Sequence, residues 1–226
     1  MGNRESGMTD DGEGLPLADR LARHIRTLLI SGELSPGQRL SEAAFSERFD
    51  VSRNSLREAF RLLTKDGLLR HEANRGVFVA VPTMASIIDI YRVRRMLECG
   101  ALRQAWQQHP ALRVMREAVE AGRVYRDKSD WLGVGSANMT FHAAVIDLSD
   151  SARLTEFYER IAAELRLCFG LLKDPEHLHA PFVEMNDTIY TLLEQGKQHE
   201  AAAEMETYLN LAERTMLKAL ERAEQA

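Results

Sequence analysis

Between Ser41 and Gly76 the chain reads SEAAFSERFDVSRNSLREAFRLLTKDGLLRHEANRG. Few folds accommodate that order of caps, apolar positions and turns. Ser41 can cap a short helix whose apolar positions are Ala44, Phe45 and Phe49. Asp50 and Val51 form a tight turn, and Ser52 opens a second helix with Leu56, Phe60, Leu62 and Leu63 on its inner side. Asp66-Gly67 stops that helix. Leu68 to Arg70 start a strand, His71 to Arg75 turn, and Gly76 to Val79 return. Helix, turn, helix and hairpin predict a winged helix-turn-helix, a module whose second helix enters the DNA major groove.

The side chains left outside this pattern suit that use. Arg53 and Arg57 stand one helical turn apart, so they point the same way, and Ser52 and Asn54 flank them. Arginine can take guanine bidentately or grip a phosphate, and asparagine can read adenine. Arg61 continues the same face. The hairpin tip holds Asn74, Arg75 and Gly76, a donor group beside a residue with no Cβ to obstruct a backbone. Taken singly, each arginine could be an ordinary solvated residue on an amphipathic helix. The basic wing tip arriving together with the helix-turn-helix favours contact with double-stranded DNA.

Charge is consistent with this once it is divided along the chain. The 226 residues carry a net charge of −5, which would argue against nucleic acid. Residues 15–81 hold 11 Lys and Arg against 8 Asp and Glu, whereas residues 82–226 hold 17 against 22. A mildly basic module is joined to an acidic one. No apolar run approaches the roughly 20 residues of a membrane span. The chain begins without an apolar leader, so a cytoplasmic location is expected. Cys99 and Cys168 sit in apolar helical patterns and read as buried thiols.

Residues 1–14 are polar, acidic and glycine-rich and are expected to form a disordered tail. Leu17 to Ser31 predicts a helix with Leu21, Ile25, Leu28 and Leu29 inward and Arg20, Arg23 and Arg26 outward. Arg39-Leu40 can add a short strand to the wing. The DNA-binding domain then spans 15–81, and 82–86 is a linker in which Pro82 breaks the strand and Thr83 caps the next helix. From 87 to 226 there is no strand signal. Helices are expected at about 84–108, 111–127, 130–149, 151–172, 180–195 and 198–224, with Pro110, Gly133 to Gly135, Pro175, Pro181 and Gly196 as breaks. The predicted architecture is mainly α: a winged helix-turn-helix followed by an all-α bundle of about six helices. Such a bundle can enclose a pocket.

The stretch IRTLLISGELSPGQRLSEAAFSERFDVSRNSLREAFRLLTKDGLLRHEANRGVFV resembles the DNA-binding domain of the GntR family of bacterial transcription regulators. That resemblance implies DNA contacts at Ser52, Arg53, Asn54, Arg57 and the wing tip Asn74 to Gly76. Ala43 stands where some members place an arginine, and Asn54-Ser55 where many have Thr-Pro. The segments DIYRVRRMLECGALRQA, NMTFHAAVIDLSDSARL and NDTIYTLLEQGKQHEAAAEMETYL resemble the effector domain called FCD, found in the FadR subfamily. The resemblance implies homodimers, operator DNA as partner, and a small-molecule effector such as an organic acid.

In that branch a divalent metal is usually held by one Asp and three His. The corresponding positions here are Asn138, His142, Asn186 and Tyr208, so three of the four are changed. Amide oxygen and phenol are poor substitutes for carboxylate and imidazole, and no metal cofactor is expected. These four side chains would converge in the bundle centre, either bonding one another or bonding a polar effector. Arg94, four residues before Glu98, is either half of a weak helical ion pair or the group that holds an effector carboxylate. His177 and His179 flank a loop, and His24, His71, His109 and His199 are expected to be solvated. No catalytic constellation has convincing spacing, so the chain is not expected to be an enzyme. The expected function is a regulator that represses a catabolic operon until a metabolite binds. Alternatives are a metal-dependent regulator, or a DNA-binding dimer whose helical domain binds no ligand.

Overall fold

The computed structural model describes residues 14–171, 176 and 179–224, and the expectations for residues 1–13, Pro175 and His177 fall outside them. Helix α1 (Leu17–Ile30) is followed by β1 (Arg39–Leu40), α2 (Glu42–Phe49), α3 (Arg53–Lys65), β2 (Leu69–Glu72) and β3 (Gly76–Val79). Six further helices come next among the described residues: α4 (Met84–Gln104), α5 (Ala111–Asp127), α6 (Trp131–Asp147), α7 (Ala152–Phe169), α8 (Phe182–Glu194) and α9 (Gln198–Glu224). This is a winged helix-turn-helix joined to an all-α bundle.

Local chemistry sets the element ends. Ser41 accepts a bond from the Ala44 amide at 3.3 Å and Ser52 one from the Ser55 amide at 3.1 Å, so each helix of the pair begins on a cap. Asp50 lies at φ 51, and the left-handed residue there lets Val51 N–H reach back to the Ser46 carbonyl and close α2. Thr83 and Ser86 form a reciprocal capping box at the start of α4. The wing sheet is antiparallel in the order β1-β3-β2, with Arg39 opposite Phe78 and Glu72 opposite Gly76.

Two apolar cores result. Leu21, Ile25 and Leu29 of α1 pack with Leu56, Ala59 and Leu63 of α3 beneath Leu69, Val77 and Val79. Burying each large side chain stabilises by roughly 1.5–3 kcal/mol relative to exposure. Ala163 and Leu167 of α7 belong to this same core, while Tyr158, Ile161, Ala162, Leu165 and Cys168 of α7 pack in the second core with α4, α5, α6, α8 and α9. Helix α7 therefore fastens the bundle to the first module. Helix α6 is apolar nearly all round because it lies among α4, α5, α7 and α8.

Four expectations are corrected. Gly133 and Gly135 do not break a helix but lie inside α6, where a Cβ on Gly133 would come within 2.5 Å of the Tyr125 ring. Arg26 does not face solvent: its Nη2 donates to Asp66 at 2.7 Å, with only 11% of the side chain exposed. His109 is buried, with Nδ1 accepting from the Ala111 amide and Nε2 on Asp150. Ala44 is exposed, and α2 turns Phe45 and Phe49 to the core instead.

Candidate functional site

The open end of α3 and the hairpin tip place the residues expected to read DNA. Arg53, Asn54 and Arg57 are all exposed on the first turns of α3, where the unpaired amides and the helix dipole add positive potential. Ser52 is exposed as well, but its Oγ is engaged as the cap and lies 2.9 Å from Ser55 Oγ. Asn74 sits at φ 62 and Gly76 at φ 104, which turns the chain sharply at the tip.

The arginines here are mostly met by acids of the same module. Arg57 Nε donates to Glu42 at 2.8 Å and Arg61 Nη2 to Glu58 at 2.6 Å, while Arg75 forms an ion pair with Glu72 at 2.7 Å. Arg75 also lies over the Phe78 ring at 5.6 Å. Arg53 has no such ion pair among the described residues. The Arg57, Arg61 and Arg75 side chains are at least 60% exposed, so each pair is screened by water and is readily exchanged for a phosphate.

The second constellation lies in the middle of the bundle. Glu98 on α4 is completely buried and accepts three bonds: Arg94 Nε at 2.6 Å, the Tyr158 hydroxyl at 3.0 Å, and His142 Nδ1 at 2.6 Å. Burial pushes the Glu98 carboxyl up, but Arg94 and His142 outweigh it and hold the group at about 2. Burial also lowers the His142 pKa, opposed by Glu98, so the imidazole is neutral beside an ionised carboxylate. Its Nδ1 must then carry the proton, which leaves Nε2 as a bare acceptor.

Beside this cluster, Asn138 Oδ1 accepts from Asn186 Nδ2 at 2.7 Å and from the Tyr208 hydroxyl at 2.9 Å. The His142 and Tyr208 rings meet edge to face at 4.8 Å and join the two clusters. Asn138, His142, Asn186, Tyr208 and Arg94 therefore share one buried region. Three of their atoms have no partner there: Arg94 Nη2, His142 Nε2 and Asn186 Oδ1.

Arg94 and Glu98 do form the helical ion pair, but as a buried one, with side chains 2% and 0% exposed. Sequence reasoning also missed Tyr158, which sits in an apolar stripe and looks like a core aromatic. Only a buried phenol's need for a partner could have hinted at its role. The residues present do not fit a divalent cation. His142 Nε2 is the one free imidazole nitrogen in the cluster, Asn138 Oδ1 is committed to two donors, and Glu98 is turned to Arg94, Tyr158 and His142. What remains among the described residues there is neutral amide and phenol oxygen with no anionic ligand. Among the described residues no three His, Cys, Asp or Glu side chains gather to hold a metal. No described helix is long and apolar enough to cross a membrane.

Residues 17–79 match the family profile described as bacterial regulatory proteins, gntR family, and residues 89–211 match the FCD domain. The chain is 28% identical over 187 residues to the Nta operon transcriptional regulator of Aminobacter aminovorans, covering 78% of this chain and 83% of that one. It is 34% identical over 90 residues, 40% of each chain, to the transcriptional repressor RspR of Escherichia coli. A crystal structure of a GntR protein from Rhodococcus sp. RHA1 superposes with a TM-score of 0.82 at 38% identity, covering 89% of this chain and 98% of the other. These similar proteins are transcription regulators, not enzymes.

Proposed function

Because the chain belongs to the GntR family of bacterial regulatory proteins and carries an FCD domain, we propose that it is an effector-controlled repressor. In this reading a homodimer sets two α3 helices on an inverted-repeat operator, with Arg53, Asn54 and Arg57 at base edges and phosphates. Asn74, Arg75 and Gly76 of the wing lie against the adjacent backbone, and Ser52 holds the helix end from which these groups project. Met96 and Leu211 support assembly. They expose apolar side chains beside the Arg95–Glu213 ion pair that joins α4 to α9. Repression of an operon is supported by the similarity to RspR and to the Nta operon regulator.

The observation that carries the effector reading is the set of three unmet polar atoms in the bundle core. Buried polar groups are nearly always bonded, and an unmet one costs about 1–3 kcal/mol. Arg94 Nη2 offers a donor, while His142 Nε2 and Asn186 Oδ1 offer acceptors. The matching ligand is a small metabolite with a carboxylate or other acceptor for Arg94 and a hydroxyl or N–H for the other two. A ligand that binds one arrangement of the two reading heads better than the other shifts operator affinity.

The test is a thermal-shift screen of full-length protein with small hydroxy acids, followed by operator-binding anisotropy on the DNA upstream of its own gene. A ligand that binds the native state raises the melting temperature. The expected hit also releases operator, and Asn186→Ala weakens its effect. If no hydroxy acid moves either readout, the helical domain is an assembly module and the effector reading is wrong.

A further inference from the structure

Where α7 meets the first module it carries a cation used neither by the reading surface nor by the bundle core. Arg166 is only 5% exposed. Its Nη2 donates to the Ser31 carbonyl at 3.3 Å, and among the described residues no carboxylate pairs with it. Burial lowers its pKa, with no acidic neighbour opposing. Arginine cannot escape a dry site by shedding its proton, so a buried guanidinium without a counter-charge is costly.

The backbone makes room for this group on two sides. A Cβ on Gly32 would lie 2.7 Å from Arg166 Nη2. A Cβ on Gly135 would lie 2.8 Å from Arg166 Nη1 and 2.9 Å from His179 Nε2. Arg166 Nη1 and His179 Nε2 therefore lie side by side over Gly135, close enough together for one small acceptor group to bridge them from the cavity side. His179 is 5% exposed and stands edge-on to Phe169 at 5.0 Å. Burial first and Arg166 second push its pKa to about 4, so it meets an occupant as a neutral ring with an N–H to give.

These groups open on a cavity of about 170 Å³ between the turn after α1 and the bundle, walled also by Leu34, Pro36 and Trp131. Pockets for drug-sized ligands run to roughly 300–1,000 Å³, so this one suits a molecule of only a few heavy atoms. We propose that the seam between the two modules is a binding site for a small oxyanion, a phosphate or a short carboxylate, held by the Arg166 guanidinium and His179 Nε2–H above Gly135. The oxyanion supplies the counter-charge that no described residue gives and accepts along the fork of the guanidinium. Its walls come from both modules, so its occupancy stiffens the joint between reading head and bundle.

The experiment is calorimetric titration and thermal melting of the full-length protein. The probes are inorganic phosphate, sulfate and acetate, each against chloride at matched ionic strength. At least one oxyanion should bind one per chain and raise the melting temperature, and the three arms identify which. Arg166→Gln and Gly135→Ala should each weaken that binding tenfold or more, whereas Asn186→Ala in the bundle core should leave it unchanged. Gly135→Ala keeps the test sound if Arg166→Gln folds poorly, since its Cβ meets only the ends of two flexible side chains. Failure of all three oxyanions to bind, binding that survives Gly135→Ala, or equal loss in Asn186→Ala would overturn the proposal.

Discussion

Replacing Glu98 by Gln keeps the side chain's shape and removes its charge, which isolates what that carboxylate does. In the native protein it is fully buried and answers Arg94, His142 and Tyr158 at 2.6 to 3.0 Å. Glu98→Gln leaves the Arg94 guanidinium, 1% exposed, without a counter-charge. Breaking a buried pair by removing one partner costs about 3–5 kcal/mol. The pKa leads to a similar size. Its lowering from 4.5 to about 2 corresponds, at about 1.4 kcal/mol per pH unit, to roughly 3 kcal/mol. The sign is set by a folded-state pKa below the unfolded one. That stability is fully present above pH 4.5 and is lost as pH falls toward 2.

The assay is urea unfolding between pH 7 and pH 2.5, monitored by tryptophan fluorescence. Both tryptophans, Trp106 and Trp131, lie beyond the linker and so report on the bundle. Glu98→Gln should lower bundle stability by about 3–5 kcal/mol at pH 7 and flatten the acid limb. Arg94→Met combined with Glu98→Gln should recover much of the loss, since the orphaned charge is gone. A cost below about 1 kcal/mol, typical of an exposed pair, or a double variant no better than the single one, would refute the buried-hub account.

Arg57→Ala should lower specific operator affinity by about 1–3 kcal/mol if it reads a base, and an unchanged footprint removes it from the contacts. Glu42→Ala, which frees Arg57 from its 2.8 Å partner, should tighten operator binding up to about fivefold in the same anisotropy assay. Asp66→Asn loosens the tie from α3 to Arg26 at 2.7 Å and to Arg160 at 3.6 Å, and should cost about 1.5–3 kcal/mol in thermal unfolding. Ser52→Ala removes the α3 cap and should cost about 1 kcal/mol by the same measurement, with operator binding weakened as the helix end frays.

The sequence by itself determined the order of elements. Caps, turn residues and apolar spacing act within a few residues, and each is legible where it stands. Ser41 and Ser52 begin the two helices of the reading head, Asp50 turns between them, and Arg39-Leu40 adds its short strand to the wing, where the structure pairs it with β3. The six bundle helices fall where the 3.6-residue period placed them, although α4 stops at Gln104 rather than near 108, with Ala105 extended and its carbonyl taken by Gln198. Tertiary structure alone decided which side chains meet. The family resemblance placed His142 toward the bundle centre, but nothing in either stretch tells that it meets Glu98 across 44 positions of chain. The same holds for Arg26 against Asp66, for His109 against Asp150, and for Arg166 against the backbone of Ser31. A helical pattern is local and fixes only a face, whereas a partner on another helix depends on how the faces are rotated and shifted in packing. That information is shared among all the helices at once and is carried by no single stretch.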